Sequence, residues 1–178
     1  DGTKDTSVGV NGVQKIEGSD STSEFDREPQ VVALGTSGAY VVVWMGYDGN
    51  DENIYTQKFN ADGTKDTSVG INGVQKMEAI GSTEETDQTP QITALGTDGA
   101  YVVVWRGKDG GGQESVFTQK FNADGTKDTS VGTNGVQKLD GSSDIDKTPQ
   151  ILALGTSDAY VVVWNSKDGD ETIFTQKF

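Results

Sequence analysis

Carboxylates are the residues best placed to do chemistry, because the chain contains neither His nor Cys. Those absences remove Ser-His-Asp and Cys-His nucleophiles, imidazole and thiolate metal sites, disulfides, and the usual proton shuttle at neutral pH. Hard oxygen remains for a metal. The stretch "FNADGTKDTS" occurs twice, and it sets Asn60, Asp62 and Asp66, then Asn122, Asp124 and Asp128, at short irregular spacing around a Gly that permits a sharp bend. That is what Ca²⁺ asks of a loop. The same residues also suit a hairpin turn in which Asn and Asp bond backbone amides and Gly63 is left-handed. The D-x-D-x-D-G spacing of a dedicated calcium loop is absent.

A second group follows each tryptophan, in "YDGNDEN" at 47–53, "KDGGGQES" at 108–115 and "KDGDET" at 167–172. Long divergent loops on a repeated scaffold are where binding usually resides, which makes Asp48, Asn50, Asp109 and Asp168 candidate ligand contacts. Solvated acidic turns are the plainer reading. Trp44, Trp105 and Trp164 invite sugar stacking, but each ends a strand with two apolar faces, so packing is the default. Tyr47 has Lys108 and Lys167 as its counterparts, which argues against a threefold aromatic site.

Glu84 with Glu85, or Asp144 with Asp146, would be acid and base pairs for a glycosidase. Three similar copies supply near-equivalent groups, whereas an acid and a base need different environments. Repetition therefore favours multivalent binding over catalysis, and the expectation is that the protein is not an enzyme.

The elements that position these residues come in threes. Laid against itself, the chain shows three units in register, 1–61, 62–123 and 124–178. Each carries "DGTKDTSVG", "NGVQK", a variable acidic segment, "PQ", "ALGT", "AYVVVW", a second variable segment and "TQKF". Four strands per unit are predicted, at 12–16, 29–34, 39–44 and 54–59 in the first. On the third, Tyr40, Val42 and Trp44 point one way and Ala39, Val41 and Val43 the other, so both faces must be covered. The first and fourth strands are half-polar, as strands nearer a solvated edge should be.

Such a unit, repeated about every sixty residues, suggests an all-β fold, a β-propeller of three four-stranded blades. A solenoid or a string of small β domains is the runner-up. The chain opens just before the outermost strand of a blade and closes on "TQKF", the strand that would precede it. Propellers usually have ~4 to 8 blades, so the expectation is a closed three-bladed ring or half of a six-bladed homodimer.

Composition agrees with strands and turns: Gly is abundant at 24 residues, and β-branched Val dominates the apolar positions. The formal charge of −14 argues against nucleic acid or an anionic bilayer as partner and leaves cations, glycans and proteins. No apolar run approaches the ~20 residues of a membrane helix, so no membrane insertion is expected. No signal peptide is visible, and a start at Asp1 is expected of a processed product or a piece of something longer.

The pattern "PQ..ALG..GAYVVVW" followed by "IYTQKFNADGT" resembles the tandem repeats of about sixty residues found in very large bacterial surface and secreted proteins, often adhesin-like. The resemblance covers all three units. It implies an extracellular or cell-surface adhesion, matrix or scaffold role, with no catalytic residues attached. The glycine-rich calcium nonapeptides that often accompany such repeats are absent here. The expected function is thus a non-enzymatic scaffold that self-associates through its blades, and the alternative is a lectin with one glycan site per repeat.

Overall fold

Each "YVVVW" run forms the second strand of an antiparallel sheet, and three such sheets follow one another along the chain. The structure is a computed structural model that describes residues 2–16, 25–81, 86–139, 145–168 and 170–178. The first sheet holds β1 (Asp26–Ala33), β2 (Tyr40–Tyr47), β3 (Glu52–Phe59) and β4 (Val74–Met77) in that order. The second repeats the order with β5 (Gln88–Leu95), β6 (Ala100–Lys108), β7 (Glu114–Phe121) and β8 (Val136–Lys138). The third, among the described residues, has β9 (Ile145–Ala153), β10 (Tyr160–Asp168) and β11 (Asp170–Lys177). The described residues contain no helix, so none is long and apolar enough to cross a membrane.

Prolines shape the first strand of each sheet. Pro lacks the N–H that a ladder needs, and the pairing of β1 with β2 slips between Arg27 and Gln30, around Pro29. The same bulge recurs in the other two sheets. Glu28, Thr89 and Thr148, each directly before its Pro, take positive φ of 54°, 52° and 47° to accommodate the extra residue.

Consecutive sheets pack face to face. Val41, Val43 and Met45 of β2 meet Tyr101, Val103 and Trp105 of β6 in one core cluster. Val102 and Val104, on the opposite face of β6, meet Tyr160, Val162 and Trp164 of β10 in a second. The middle sheet is therefore buried on both faces, as the double-sided apolar pattern predicts, and each fully buried Val stabilises it by about 1.5–3 kcal/mol. Cross-strand stacks reinforce every sheet: Tyr40 on Phe59, Tyr101 on Phe121 and Tyr160 on Phe178, with ring centroids 4.6–4.8 Å apart.

The outer sheets are covered on one face only. Tyr40 and Val42 in the first sheet, and Val161 and Val163 in the third, are half-buried, while Val31 is 66% and Leu152 is 62% exposed. Extensive contacts between sheets join the first to the second and the second to the third.

One predicted strand does not form. Residues 73–77 and 135–139, the second and third "GVQK" segments, supply β4 and β8, but 12–16 makes no ladder and retains only a bridge between Val10 and Val13. A strand needs a partner. β4 pairs with β3, and β8 with β7, each a strand of the preceding repeat, and no strand among the described residues pairs with 12–16.

Candidate functional site

The two "FNADGTKDTS" loops are tight turns whose oxygens bond the loop itself. Gly63 N–H donates to the Asn60 carbonyl at 2.9 Å, and Gly63 takes φ 79° to allow it. Asp62 Oδ1 accepts from both the N–H and the hydroxyl of Thr64, at 2.9 and 2.6 Å, and the Asn60 amide donates to the same hydroxyl at 3.0 Å. Asp66 Oδ1 accepts from the N–H and hydroxyl of Ser68. Asn122, Asp124 and Asp128 repeat the arrangement with Thr126 and Ser130. The Thr64 bonds hold the Asp62 carboxyl below the usual carboxylate range, and the Ser68 hydroxyl and N–H do so for Asp66. Among the described residues, no group of three or more Asp and Glu side chains is placed to hold a metal ion.

Of the candidate aspartates after the tryptophans, Asp48 and Asp109 bond other parts of the chain. Asp48 Oδ1 accepts the N–H groups of Asn50 and Asp51, closing the turn between β2 and β3, and Asp48 Oδ2 lies 3.1 Å from Lys76 Nζ on β4. Asp109 accepts the N–H groups of Gly111 and Gln113 at 2.9 Å, and its other oxygen lies 2.8 Å from Lys138 Nζ on β8. Burial pushes the Asp48 carboxyl up, but the two N–H groups and Lys76 outweigh it and leave the group below its ordinary value. Lys138, then the backbone donors, keeps Asp109 low as well. Both side chains thus clamp a strand of the next repeat. Asp168 has the matching sequence position at the end of β10, and Asn50 contributes its backbone N–H to the Asp48 turn.

Asn50 also borders a cleft of about 340 Å³ with Phe25, Tyr47, Glu52 and Lys108. Phe25 stacks on Tyr47 at 5.3 Å and carries the Arg27 guanidinium 4.0 Å from its ring centre, so this ring is already engaged. Trp44, Trp105 and Trp164 are buried, at 3%, 0% and 5% exposure, and none offers a face to a sugar. Trp44 and Trp164 donate their indole N–H to Asp26 and Asp146, at 2.8 and 3.2 Å. Asp146 is thereby a buried acceptor, while Glu84, Glu85 and Asp144 lie outside the described residues.

The most elaborate recognition lies where one repeat receives the next, and its central residues are glutamines. The Gln57 side-chain amide donates to the Lys58 carbonyl at 2.9 Å and to the Asp66 carbonyl at 3.0 Å. Gln119 does the same to Lys120 and Asp128, at 2.9 and 3.1 Å, and both glutamines are fully buried. Each amide lies against a glycine of the incoming segment: a methyl on Gly73 would come within 2.6 Å of Gln57 Nε2, and one on Gly135 within 2.6 Å of Gln119 Nε2. Beyond the strand, Gln75 Nε2 donates to the Gly125 carbonyl at 2.7 Å, and Lys127 Nζ to the Lys76 carbonyl at 2.7 Å.

Sequence reasoning passed over these glutamines in favour of charged loops. The available signal was a polar residue held constant inside "TQKF" and "NGVQK" at positions facing packed neighbours. Comparison with models of known protein families finds no match, and comparison with curated proteins finds none either.

Proposed function

We propose that the chain is a non-enzymatic scaffold or adhesion module of the cell surface or extracellular space, built of β-propeller blades and completed by self-association. Each antiparallel sheet serves as a blade whose outermost strand comes from the following repeat. One observation carries this reading: the middle sheet is covered on both faces and along its outer edge by other parts of the chain, whereas the third sheet leaves β11 exposed along its length. A face and edge that the fold buries elsewhere are costly to leave in water.

A six-bladed ring shared by two chains falls within the usual ~4 to 8 blades. Closure of three blades within one chain would need the first sheet to meet the third, and among the described residues the extensive contacts run between consecutive sheets. Acidic rim loops then face outward, towards proteins or glycans of neighbouring surfaces. The extracellular setting rests on the resemblance of the repeat to those of large bacterial surface proteins.

Native mass spectrometry tests the proposal. The expected result is a whole multiple of the chain mass, present with and without calcium. A monomer at every concentration would overturn it, and glycan binding at three sites per chain would replace it with the lectin.

A further inference from the structure

Among the described residues the third sheet has three strands, and residues 12–16 of the first repeat, equivalent to β4 and β8, pair with no sheet. That segment is already shaped for pairing. Gln14 Nε2 donates to the Gly63 carbonyl at 2.6 Å, as Gln75 does to Gly125, and Lys65 Nζ donates to the Lys15 carbonyl at 3.0 Å, as Lys127 does to Lys76. Asn11, Asn72 and Asn134 share φ of 54°, 52° and 53°, so the "NGV" turn keeps one conformation with or without a sheet beside it.

The glutamine slot of that segment lacks its glutamine. A methyl on Gly12 would lie 2.0 Å from the Asp5 carbonyl oxygen, matching Gly73 over Asp66 at 2.2 Å, but the nearest atoms around Gly12 all belong to Asp5 and Thr6. The residue in register with Gln57 and Gln119 is Gln176, on the exposed strand β11. The neighbouring side chains show what is missing: Ile173 is 66% exposed where Ile54 and Val116 are 0%, and Val13 is 62% exposed where Val136 is 7%.

We infer that β11 takes residues 12–16 of a second copy of this chain as its fourth strand, with Gln176 seated over Gly12 and donating to the Asp5 carbonyl of that copy. This deepens the self-association reading and rests on it. The two internal junctions set the register, since Val74 stands opposite Gln57 and Gln75 opposite Thr56, and Val136 and Gln137 face Gln119 and Thr118. Val13 then faces Gln176, Gln14 faces Thr175, Lys15 faces Phe174 and Ile16 faces Ile173. The open faces behind the strand match too: Leu152 and Val163 meet Val31 and Val42 of the second copy, as Val41 and Val43 meet Tyr101 and Val103 within the chain. A second copy is the occupant because it presents all the matching features: the unpaired 12–16 segment, the Gly12 slot without a glutamine, and the exposed Val31 on the complementary face. The contact is heterologous, so its repetition closes a ring or builds a filament.

The chain has no Cys, so engineered thiols report the register directly. Gln14→Cys and Thr175→Cys chains are mixed and oxidised at a concentration where the native protein associates. The expected product is the mixed disulfide dimer, formed in preference to that of Gln14→Cys with Glu171→Cys. Gln176→Ala is expected to weaken association about tenfold or more in sedimentation equilibrium, because it leaves a buried carbonyl unpaired. Multimers that give no Gln14–Thr175 bond and ignore Gln176→Ala would overturn this pairing and leave the scaffold reading intact. A monomer at every concentration would overturn both. A Gln14→Cys/Thr175→Cys chain that forms its disulfide at the mass of one chain would overturn the pairing in favour of a closed single-chain ring.

Discussion

At the scale of the residue, polar groups matter here for what they fasten. Gln119 spends its amide on two backbone carbonyls inside a fully buried junction. The Lys120 carbonyl keeps the Asp128 N–H, 2.9 Å away, but truncation to Ala takes the side-chain donor from the Asp128 carbonyl, so Gln119→Ala is expected to lower folding stability by about 1–3 kcal/mol, read as a drop in the urea midpoint. The aspartates set the response to acid. The folded-state pKa values of Asp62, Asp66, Asp109, Asp124 and Asp128 are all depressed by donated hydrogen bonds. Depressed carboxyls contribute stability that is fully present above the unfolded value near 4 and is lost as pH falls through the lowered folded values. With no His in the chain, the urea midpoint is expected to hold between about pH 5 and 8 and to fall below about pH 4. Asp109→Asn, which keeps an acceptor but loses the charge facing Lys138, is expected to make that fall shallower. The acidity of Asp48 and Asp109 was plain in the sequence. Their partners were not, since Lys76 is 28 positions from Asp48 and Lys138 is 29 from Asp109.

At the scale of the element, repeat boundaries and sheet boundaries differ by one strand. The sequence units end at 61 and 123, but the first sheet runs on to Met77 and the second to Lys138. A fragment of residues 1–123 loses β8 together with the third sheet, and the β7 edge with its buried Gln119 is laid bare. A fragment of residues 1–139 keeps β8. The longer fragment is expected to unfold cooperatively in urea with amide protection in β7, and the shorter to be molten or insoluble. Equal behaviour of the two would show that the swapped strand contributes little. The four strands per repeat were legible from alternation and turn residues, and the failure of 12–16 to form one was not, because the pattern within a segment does not tell whether its partner is present.

At the scale of the whole molecule, charge opposes the proposed self-association. A net charge of −14 on each chain means that every association brings like charges together. Raising the salt shortens the Debye length from ~10 Å at 0.1 M to ~3 Å at 1 M, so self-association is expected to strengthen with ionic strength. Sedimentation velocity across a salt series checks this. Weakening with salt would point instead to a polar or ionic contact.

By itself the sequence determined the strands other than 12–16, the turns, the three-unit order and the two-sided apolar middle strand, because each follows from local alternation and from residues that tolerate tight backbone. It also excluded chemistry that needs imidazole or thiol. Only the tertiary structure decided which repeat supplies the fourth strand, which polar groups are spent inside junctions, and which faces stay open. Those outcomes depend on contacts between residues far apart in the chain, and a pattern that is identical in all three repeats cannot distinguish the covered copy from the two at the ends.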